Sequence, residues 1–330
     1  MDMHQTICER KGRKFLFKVE TSQKLSDFAK YETIRNEIWG APRDHLAGPR
    51  NLGVENFFHE GSNLLTSVYV ENADGNFQED EFSLVGFSYG YIGARDKKIA
   101  FRKQENIVFY SQYIGVKAEY QNYGLGILLK EFQKRIVLDV YGLSVITCTC
   151  DPLVSVNAYR NVRHFRMNVE EYRTACYGTY EGKLNRADVP SDRLFLTWNL
   201  KEEARLPEYD LKKLVGSGHA LVLSDVSEVM GVSGTLSLEI VKRIQVHLHH
   251  DLLLVEVPFD FYTMLQETAV PDEEVRRIPL DWRMVTRQVF LDLFRRDYKV
   301  LDFAMLKEGD RRRGFYVFSA AGSEKVKTFQ

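Results

Sequence analysis

The chain carries Gln121-Asn122-Tyr123-Gly124-Leu125-Gly126 between an apolar stretch that ends at Val116 and a periodic stretch over residues 127–140. This order predicts a strand, a glycine turn and a helix. Two glycines let the backbone turn tightly and approach a ligand closely, and the first helical turn offers N–H groups and the positive end of a dipole. We therefore interpret the turn as an anion site. Because a lone Gly-x-Gly is usually only a turn, this interpretation depends on the flanking strand and helix.

The length of the chain predicts two domains. Its 330 residues exceed the usual size of one domain. A polar run, Lys201-Glu-Glu-Ala-Arg-Leu-Pro207, marks the boundary, so we expect one domain over residues 1–200 and a smaller one over residues 201–330. We expect the smaller one to shape the substrate cleft or to supply a dimer interface, which leaves a homodimer as an open alternative.

The charge balance, the cysteine content and the apolar stretches of the chain indicate which kinds of partner and cellular setting to expect. Lys and Arg number 45 against 46 Asp and Glu, and a net charge of -1 gives no basic field that would hold nucleic acid. The four cysteines have no zinc-site spacing, which favours a reducing, cytoplasmic setting. The N-terminus lacks an apolar signal core, and no stretch approaches the roughly 20 apolar residues that span a bilayer. We expect a soluble protein without a membrane partner.

Hydrophobic periodicity predicts an α+β fold. An Asp-Gly turn at residues 72–75 joins the second and third predicted strands. The predicted elements of the first domain are strand 14–19, helix 22–39, strands 63–70, 82–92 and 107–116, helix 127–140, strand 143–150, helix 157–165 and strand 194–200. Those of the second are strands 220–223 and 252–257, helix 282–296 and strands 300–306 and 314–319.

The glycine turn also carries a resemblance to a known family. The run from Val116 to Gly126 resembles the acyl-CoA binding motif of the GNAT superfamily of N-acyltransferases, whose pattern is Val, then Arg or Gln, then x-x-Gly-x-Gly/Ala. Segments 150–153 and 185–198 resemble a bacterial branch of predicted GNAT acetyltransferases that also carries a C-terminal extension. The resemblance implies a GNAT-like mixed sheet, splayed between its fourth and fifth strands. It implies acetyl-CoA or another acyl-CoA as co-substrate, bound in the opening.

The resemblance assigns the residues that would bind this co-substrate. Backbone amides of the turn would hold the pyrophosphate: Gln121, Asn122, Tyr123, Gly124, Leu125 and Gly126. Backbone groups of Ile114, Gly115 and Val116 would pair with the pantetheine amides, and one N–H would polarise the thioester carbonyl. Glycine at position 115 would permit close approach. Asn157 would hydrogen-bond the pantetheine; the alternative is that it caps the following helix.

The proton acceptor stays open. Acyl transfer to an amine needs a proton acceptor and a proton donor near the thioester. The positions that hold Glu or His in some relatives are Tyr110 and Gln112 here. Glutamine accepts no proton, and tyrosine, with an ordinary pKa of roughly 10, is a weak base. Either a water chain lined by Tyr110, Ser111 and Gln112 carries the proton, or an acid outside the motif does.

Two aspartates are the acids outside the motif. Asp151 ends the fifth strand of the GNAT-like sheet, and Asp192 precedes the closing strand. Each has a structural alternative: Asp151-Pro152 is also a strand-terminating turn, and Asp192 can pair with Arg193 or cap a turn.

The proton donor is open as well. Many relatives place a tyrosine on the helix after the fifth strand, where this chain has Val162. Tyr159 and His164 are the nearby substitutes, and Tyr159 has the alternative of packing on the sheet.

One group of histidines has the spacing of a possible metal-binding pair. His247 and His249 fall on one face if their segment is extended. Because a closed site needs three or four ligands, we expect a solvated turn and no metal.

These observations predict a CoA-dependent N-acyltransferase. It would move an acetyl or larger acyl group to a small-molecule amine such as an amino acid. The alternative is a non-catalytic acyl-CoA-binding or interaction protein that keeps the GNAT fold. A P-loop nucleotide-binding protein is excluded, since no Gly-Lys-Ser/Thr follows the glycines.

Overall fold

The computed structural model describes residues 4–22, 24–40, 62–178, 181–202, 205–245 and 248–320. The chain divides into two units. The first comprises residues 1–148 and 199–201, and the second comprises residues 149–198 and 202–330.

The first unit is built on a mixed β-sheet. Its strands follow one another across the sheet in chain order: β1 (Gln5–Arg10), β2 (Arg13–Val19), β3 (Asn63–Val70), β4 (Leu84–Ala94), β5 (Ile107–Val116) and β6 (Val145–Cys150). Neighbours from β1 to β5 are antiparallel, and β6 runs parallel to β5. Helices α1 (Ala29–Trp39) and α2 (Leu125–Asp139) pack on it. The predicted α+β class with a mixed sheet flanked by helices is confirmed.

Successive side chains of the strands point to opposite faces of the sheet, so the core of this unit has two layers, one under each helix. Leu16 and Phe17 are neighbours on β2 and therefore point to opposite faces. Leu16 belongs to the cluster that packs against Tyr31 of α1. Phe17 contacts Phe132 of α2, with ring centroids 6.1 Å apart. The sheet is thus covered on both faces, and β4 and β5 lie at its centre.

The second unit contains a hairpin and a separate five-stranded sheet. Strands β7 (Asn168–Arg173) and β8 (Arg193–Asn199) are antiparallel. The five-stranded sheet has the order β10-β9-β11-β13-β12, from β9 (Ala220–Gly231), β10 (Gly234–Ile244), β11 (Leu252–Val257), β12 (Tyr298–Glu308) and β13 (Arg311–Ala320). The helices are α3 (Ser155–Ala158), α4 (Leu211–Gly216), α5 (Phe261–Glu267), α6 (Glu273–Arg276) and α7 (Ile278–Arg295).

The division at residue 149 differs from the boundary that we expected at residue 201. Buried hydrogen bonds join residues 149–198 to the C-terminal part of the chain. The Tyr316 hydroxyl donates to the Pro152 carbonyl (3.0 Å), and the Ser155 hydroxyl donates to the Pro258 carbonyl (2.6 Å). The polar run after residue 200 could not predict these contacts, because the residues that form them are more than 100 residues apart in the chain.

The elements missed by periodicity are short or half polar. Strand β1 precedes the strand that we expected to be the first, and β7 and β10 were also missed, as were α4, α5 and α6. Strand β10 lies at a sheet edge and carries Thr, Ser, Glu and Lys between its apolar residues. The helix expected over 157–165 is a short α-helix followed by a π-helical turn at Tyr159–His164. Short polar elements gain their stability from tertiary packing, which a periodicity count does not contain.

Glu239 on β10 couples the stability of the second unit to pH. Its carboxylate accepts the Phe259 N–H (2.6 Å), yet burial, reinforced by Glu256, raises its pKa from 4.5 to about 7. The unfolded chain loses this proton first, so stability falls as pH rises from about 4.5 to 7. We expect Glu239→Gln to remove this fall and to gain about 1 to 2 kcal/mol over the wild type at pH 8.

Urea unfolding at pH 5 and pH 8 measures this gain. Glu228→Gln, at an exposed position on β9, is the matched control and should change stability equally at both pH values. The same pH-independent change in Glu239→Gln would contradict the assignment.

Candidate functional site

The glycine turn has the predicted order of strand, turn and helix. After β5 ends at Val116, a 3₁₀ turn covers Ala118–Tyr123, and Gly124 adopts a left-handed conformation (φ 71°, ψ 14°) immediately before α2. The Gln121 side-chain amide donates to the Val116 carbonyl (3.5 Å) and ties the turn to the strand. The Leu125 and Gly126 N–H groups lie in the first turn of α2, where a helix leaves its amides without a helical acceptor.

Cations and aromatic rings lie beside this turn. Lys11 Nζ is 5.6 Å and the Arg13 guanidinium 5.9 Å from the centroid of the Tyr123 ring. Phe15 packs edge-on against Tyr123 at 5.3 Å. Arg13 and Tyr120 also line a cavity of about 440 Å³. The sequence reasoning missed these cations, because the β1–β2 hairpin that carries them was not predicted.

The ladder between β5 and β6 is short. It pairs Phe109 with Ile146 and Tyr110 with Thr147, and among the described residues it contains no further pair. Ser111 and residues 113–116 continue to pair with β4 on their other side. The β5 edge that includes Ile114, Gly115 and Val116 therefore has backbone groups available to an extended ligand.

A β-bulge interrupts β5 where its ladder with β6 ends. Tyr113 pairs with Tyr89 and Ser111 pairs with Gly90, so Gln112 is the extra residue, and its side chain is exposed. Glycine at position 90 is required, because a Cβ there would lie 2.4 Å from the Tyr110 carbonyl oxygen. Bulges bend a strand and redirect its side chains, and they are common beside active sites.

Gly115 has a different neighbour from the one expected. A Cβ at this position would lie 2.5 Å from Cη2 of Trp39 and 2.8 Å from Cδ1 of Ile38. The close approach that this glycine permits is therefore that of α1, and only the backbone of Gly115 is available to a ligand.

In the second unit, Asp151 is held by two guanidinium groups. Its two oxygens accept from Arg283 (2.9 and 2.5 Å), and one also accepts from Arg193 (3.2 Å). The Leu153 N–H donates to the same carboxylate (2.9 Å), which makes the strand-terminating turn that was the structural alternative. Arg283 itself is buried on α7.

Asp192 is fully buried and accepts four hydrogen bonds. Two come from Arg287 (2.8 and 2.7 Å), one from the Tyr172 hydroxyl (2.7 Å) and one from the Ala175 N–H (2.8 Å). Burial raises the pKa of Asp192, but these bonds outweigh burial and hold the pKa below its ordinary value. The partner of Asp192 is thus Arg287 rather than Arg193.

Asn157 and Tyr159 belong to the second unit too. Asn157 is the third residue of α3, and the N-cap is Val154, so the capping alternative is wrong. The Asn157 side-chain oxygen accepts from Arg160 (2.9 Å). Tyr159 opens the π-helical turn and is 43% exposed, whereas Val162 is buried. Single π-turns inside helices occur frequently at functional sites.

Of the predicted histidine group, His247 lies outside the described residues. The His250 ring stacks on that of His219 at 4.2 Å, and Nδ1 of His249 is 3.3 Å from a guanidinium nitrogen of Arg296. Across the described residues, no three His, Cys, Asp or Glu side chains are grouped as a metal site. None of the helices in the described ranges is long and apolar enough to cross a membrane.

Comparisons with known proteins gave matches among solved structures. No protein-family model and no curated protein matches the chain. The ribosomal-protein-S5-alanine acetyltransferase of Vibrio fischeri is 13% identical over 61% of this chain and 99% of its own, with a TM-score of 0.41. Arabidopsis thaliana NAA60 in complex with acetyl-CoA is 15% identical over 60% of this chain and 100% of its own, with a TM-score of 0.41. A spermidine N-acetyltransferase SpeG mutant of Vibrio cholerae is 14% identical over 56% of this chain and 94% of its own, with a TM-score of 0.36.

Proposed function

We propose that this protein is a GNAT-type N-acyltransferase that moves an acetyl or larger acyl group from a CoA thioester to a small-molecule amine. One observation carries the proposal. An edge of β5 that the described residues leave unpaired and the N-terminus of α2 follow each other directly along the chain, separated by a single 3₁₀ turn. Such a sequence of sites fits a ligand that has an extended amide arm and a pyrophosphate.

The co-substrate would lie along these two features. The Leu125 and Gly126 amides and the dipole of α2 would hold the pyrophosphate, with Lys11 and Arg13 nearby as counter-charges. The pantetheine amides would pair with β5 at residues 114–116 as a short added strand.

The proton acceptor is the harder assignment. A general base works best when its pKa lies near the working pH. Asp192 has a lowered pKa, and both Asp192 and Asp151 already bind guanidinium groups, which makes them poor acceptors. We therefore favour the water chain along Tyr110, Ser111 and Gln112 at the bulge.

The second function, a non-catalytic acyl-CoA-binding protein, is favoured by one observation. The bulge residue is Gln112, whose side chain cannot accept a proton. CoA release measured against a panel of amines separates the two functions. Turnover on any amine supports the enzyme, whereas acyl-CoA binding without turnover on any donor supports the binding protein.

Gly124→Asp tests the cofactor site. We expect it to weaken CoA binding by about 10- to 100-fold, because a carboxylate would repel the pyrophosphate at the start of α2. Gly142→Asp is the matched control at the other end of the helix. Both glycines are exposed, have similar φ values (71° and 67°) and have no atom within 4 Å of a built Cβ.

Isothermal titration calorimetry with CoA at low ionic strength measures both variants. The backbone strain of an aspartate is nearly the same at the two positions, so a loss of affinity confined to Gly124→Asp locates the pyrophosphate. Equal affinities in the two variants would contradict the site.

A further inference from the structure

Arg35 is a buried cation, and the described residues leave part of its hydrogen-bonding capacity unused. It lies on α1 and is 4% exposed. Its Nε and Nη2 atoms are buried and have no hydrogen-bond partner among the described residues. Burial of an unpaired charged group is costly, so such groups are normally paired or bind a ligand. This arginine therefore calls for an acceptor that the described residues do not supply.

The two unpaired atoms form one edge of the guanidinium group. This edge presents two roughly parallel N–H donors and suits the two oxygens of a carboxylate. The chain uses it in this way elsewhere: Nε and Nη2 of Arg287 bind Asp192, and the same two atoms of Arg313 bind Glu256. The open edge of Arg35 is thus chemically matched to a carboxylate.

The nearest charge on α1 does not fill that edge. Glu32 lies one turn before Arg35; burial raises its pKa, and Arg35 partly offsets the rise. The two side chains therefore interact through space, but neither Nε nor Nη2 of Arg35 donates to the Glu32 carboxylate. An added carboxylate would still be needed to satisfy the open edge.

Arg35 lies one helical turn from the residues of α1 that contact β5, the strand of the proposed cofactor site. It shares a helix face with Tyr31 and Ile38, the face that packs on the sheet. One turn further on, about 5 to 6 Å along the helix, Ile38 and Trp39 cover Gly115. The Trp39 ring also contacts Tyr113, the residue next to the bulge, at 5.7 Å.

We propose that Arg35 binds a carboxylate of the substrate. The carboxylate belongs either to an amino acid acceptor or to the acyl group of a dicarboxylic acyl-CoA, and the chemistry of recognition is the same. The inference rests on the proposed function, since it names the substrate class of that site. Arg35 would hold the substrate in place and would take no part in proton transfer.

The test is a comparison of matched substrate pairs. With acetyl-CoA as donor, each amino acid is paired with its amide; with one amine as acceptor, succinyl-CoA is paired with butyryl-CoA. We expect the wild type to prefer the carboxylate member of one pair. Arg35→Met, which keeps an unbranched apolar stem, should lower that preference in kcat/KM by about 10- to 100-fold. Arg35→Lys keeps the charge but not the two parallel N–H donors. Its preference ratio should therefore lie between those of the wild type and Arg35→Met.

Thermal unfolding supplies a readout that a merely structural arginine would not give. Because Arg35→Met removes an unpaired buried charge, its melting temperature should equal or exceed that of the wild type. Succinate should raise the melting temperature of the wild type more than that of the variant. A lower melting temperature together with an unchanged preference ratio would overturn the inference.

The two proposals fail in different ways. Turnover without a carboxylate preference in either pair leaves the N-acyltransferase standing and overturns the role of Arg35. Absence of turnover with every donor contradicts the enzyme, and the succinate shift then still decides whether Arg35 binds a carboxylate.

Discussion

Replacement of Asp192 by asparagine is expected to lower the free energy of unfolding by about 3 kcal/mol. Asparagine keeps the shape of the side chain but removes the charge that Arg287 neutralises, and it turns one acceptor into a donor that faces the donors around it. Loss of one partner of a buried pair costs about 3 to 5 kcal/mol. The lower end applies here because the Arg287 side chain is partly exposed.

The effect of Asp192→Asn should depend on pH. The folded-state pKa is depressed, so the stabilisation is present above the ordinary value of 3.8 and is lost as pH falls through the folded-state value. Urea unfolding at pH 7 and at successively lower pH measures the difference between variant and wild type. We expect this difference to shrink below about pH 4.

Asp225→Asn is the control for an exposed pair. Asp225 pairs with Lys242 at 2.6 Å, and its side chain is 51% exposed. Exposed pairs of this kind contribute little to stability, so the control should lose little. A similar loss in both variants would argue against a special role for burial. A folded Asp192→Asn protein of normal stability without turnover would instead make Asp192 the proton acceptor.

The elements around the glycine turn could be predicted because their signals are local. Strand β5 and strand β3 have the predicted bounds, and α2 begins two residues before the predicted start. Gly124 needs a left-handed conformation that other residues rarely adopt, so its position in the sequence marks the turn. A strand, a glycine and a periodic helix are all contained in about 30 consecutive residues.

The register within the sheet could not be predicted in the same way. The bulge at Gln112 and the end of the β5–β6 ladder after Tyr110 are set by which residues face each other across strands. A shift of one residue leaves the apolar content of a strand unchanged but reverses its faces. The bulge requires Gly90, but the sequence alone does not distinguish it from other glycines in strands.

The ion pairs between residues that are far apart in the chain could not be predicted from the sequence either. Asp151 and Asp192 lie at strand boundaries, as the sequence predicts, but their partners are 132 and 95 residues further along the chain. On α7, Arg283 and Arg287 are spaced by four residues and lie on the same helical face. This spacing indicates that both arginines form ion pairs on one side of the helix, but it does not indicate which acidic residues are their partners.

Replacement of Asp151 by asparagine is expected to cost about 3 to 5 kcal/mol, because it leaves the buried Arg283 without its opposite charge. Arg283→Met is expected to cost about 3 kcal/mol, the lower end, because Asp151 keeps its contact with Arg193. The double variant should lose about as much as Asp151→Asn alone, which gives a coupling energy of about 3 kcal/mol. Asparagine keeps an acceptor for the Leu153 N–H, and methionine can pack on the Phe261 ring that now lies under the guanidinium.

Urea unfolding of the four proteins in this cycle measures the coupling energy. Additive losses would contradict a direct pair. The same cycle tests the role of Asp151 in catalysis, because the activity of the folded molecules separates a structural carboxylate from a proton acceptor. If Asp151 only holds α7, CoA release per folded molecule of the double variant should stay within about tenfold of the wild type, whereas a lost base costs about 10²- to 10⁴-fold regardless of stability. From the two guanidinium partners of Asp151, we expect the first result.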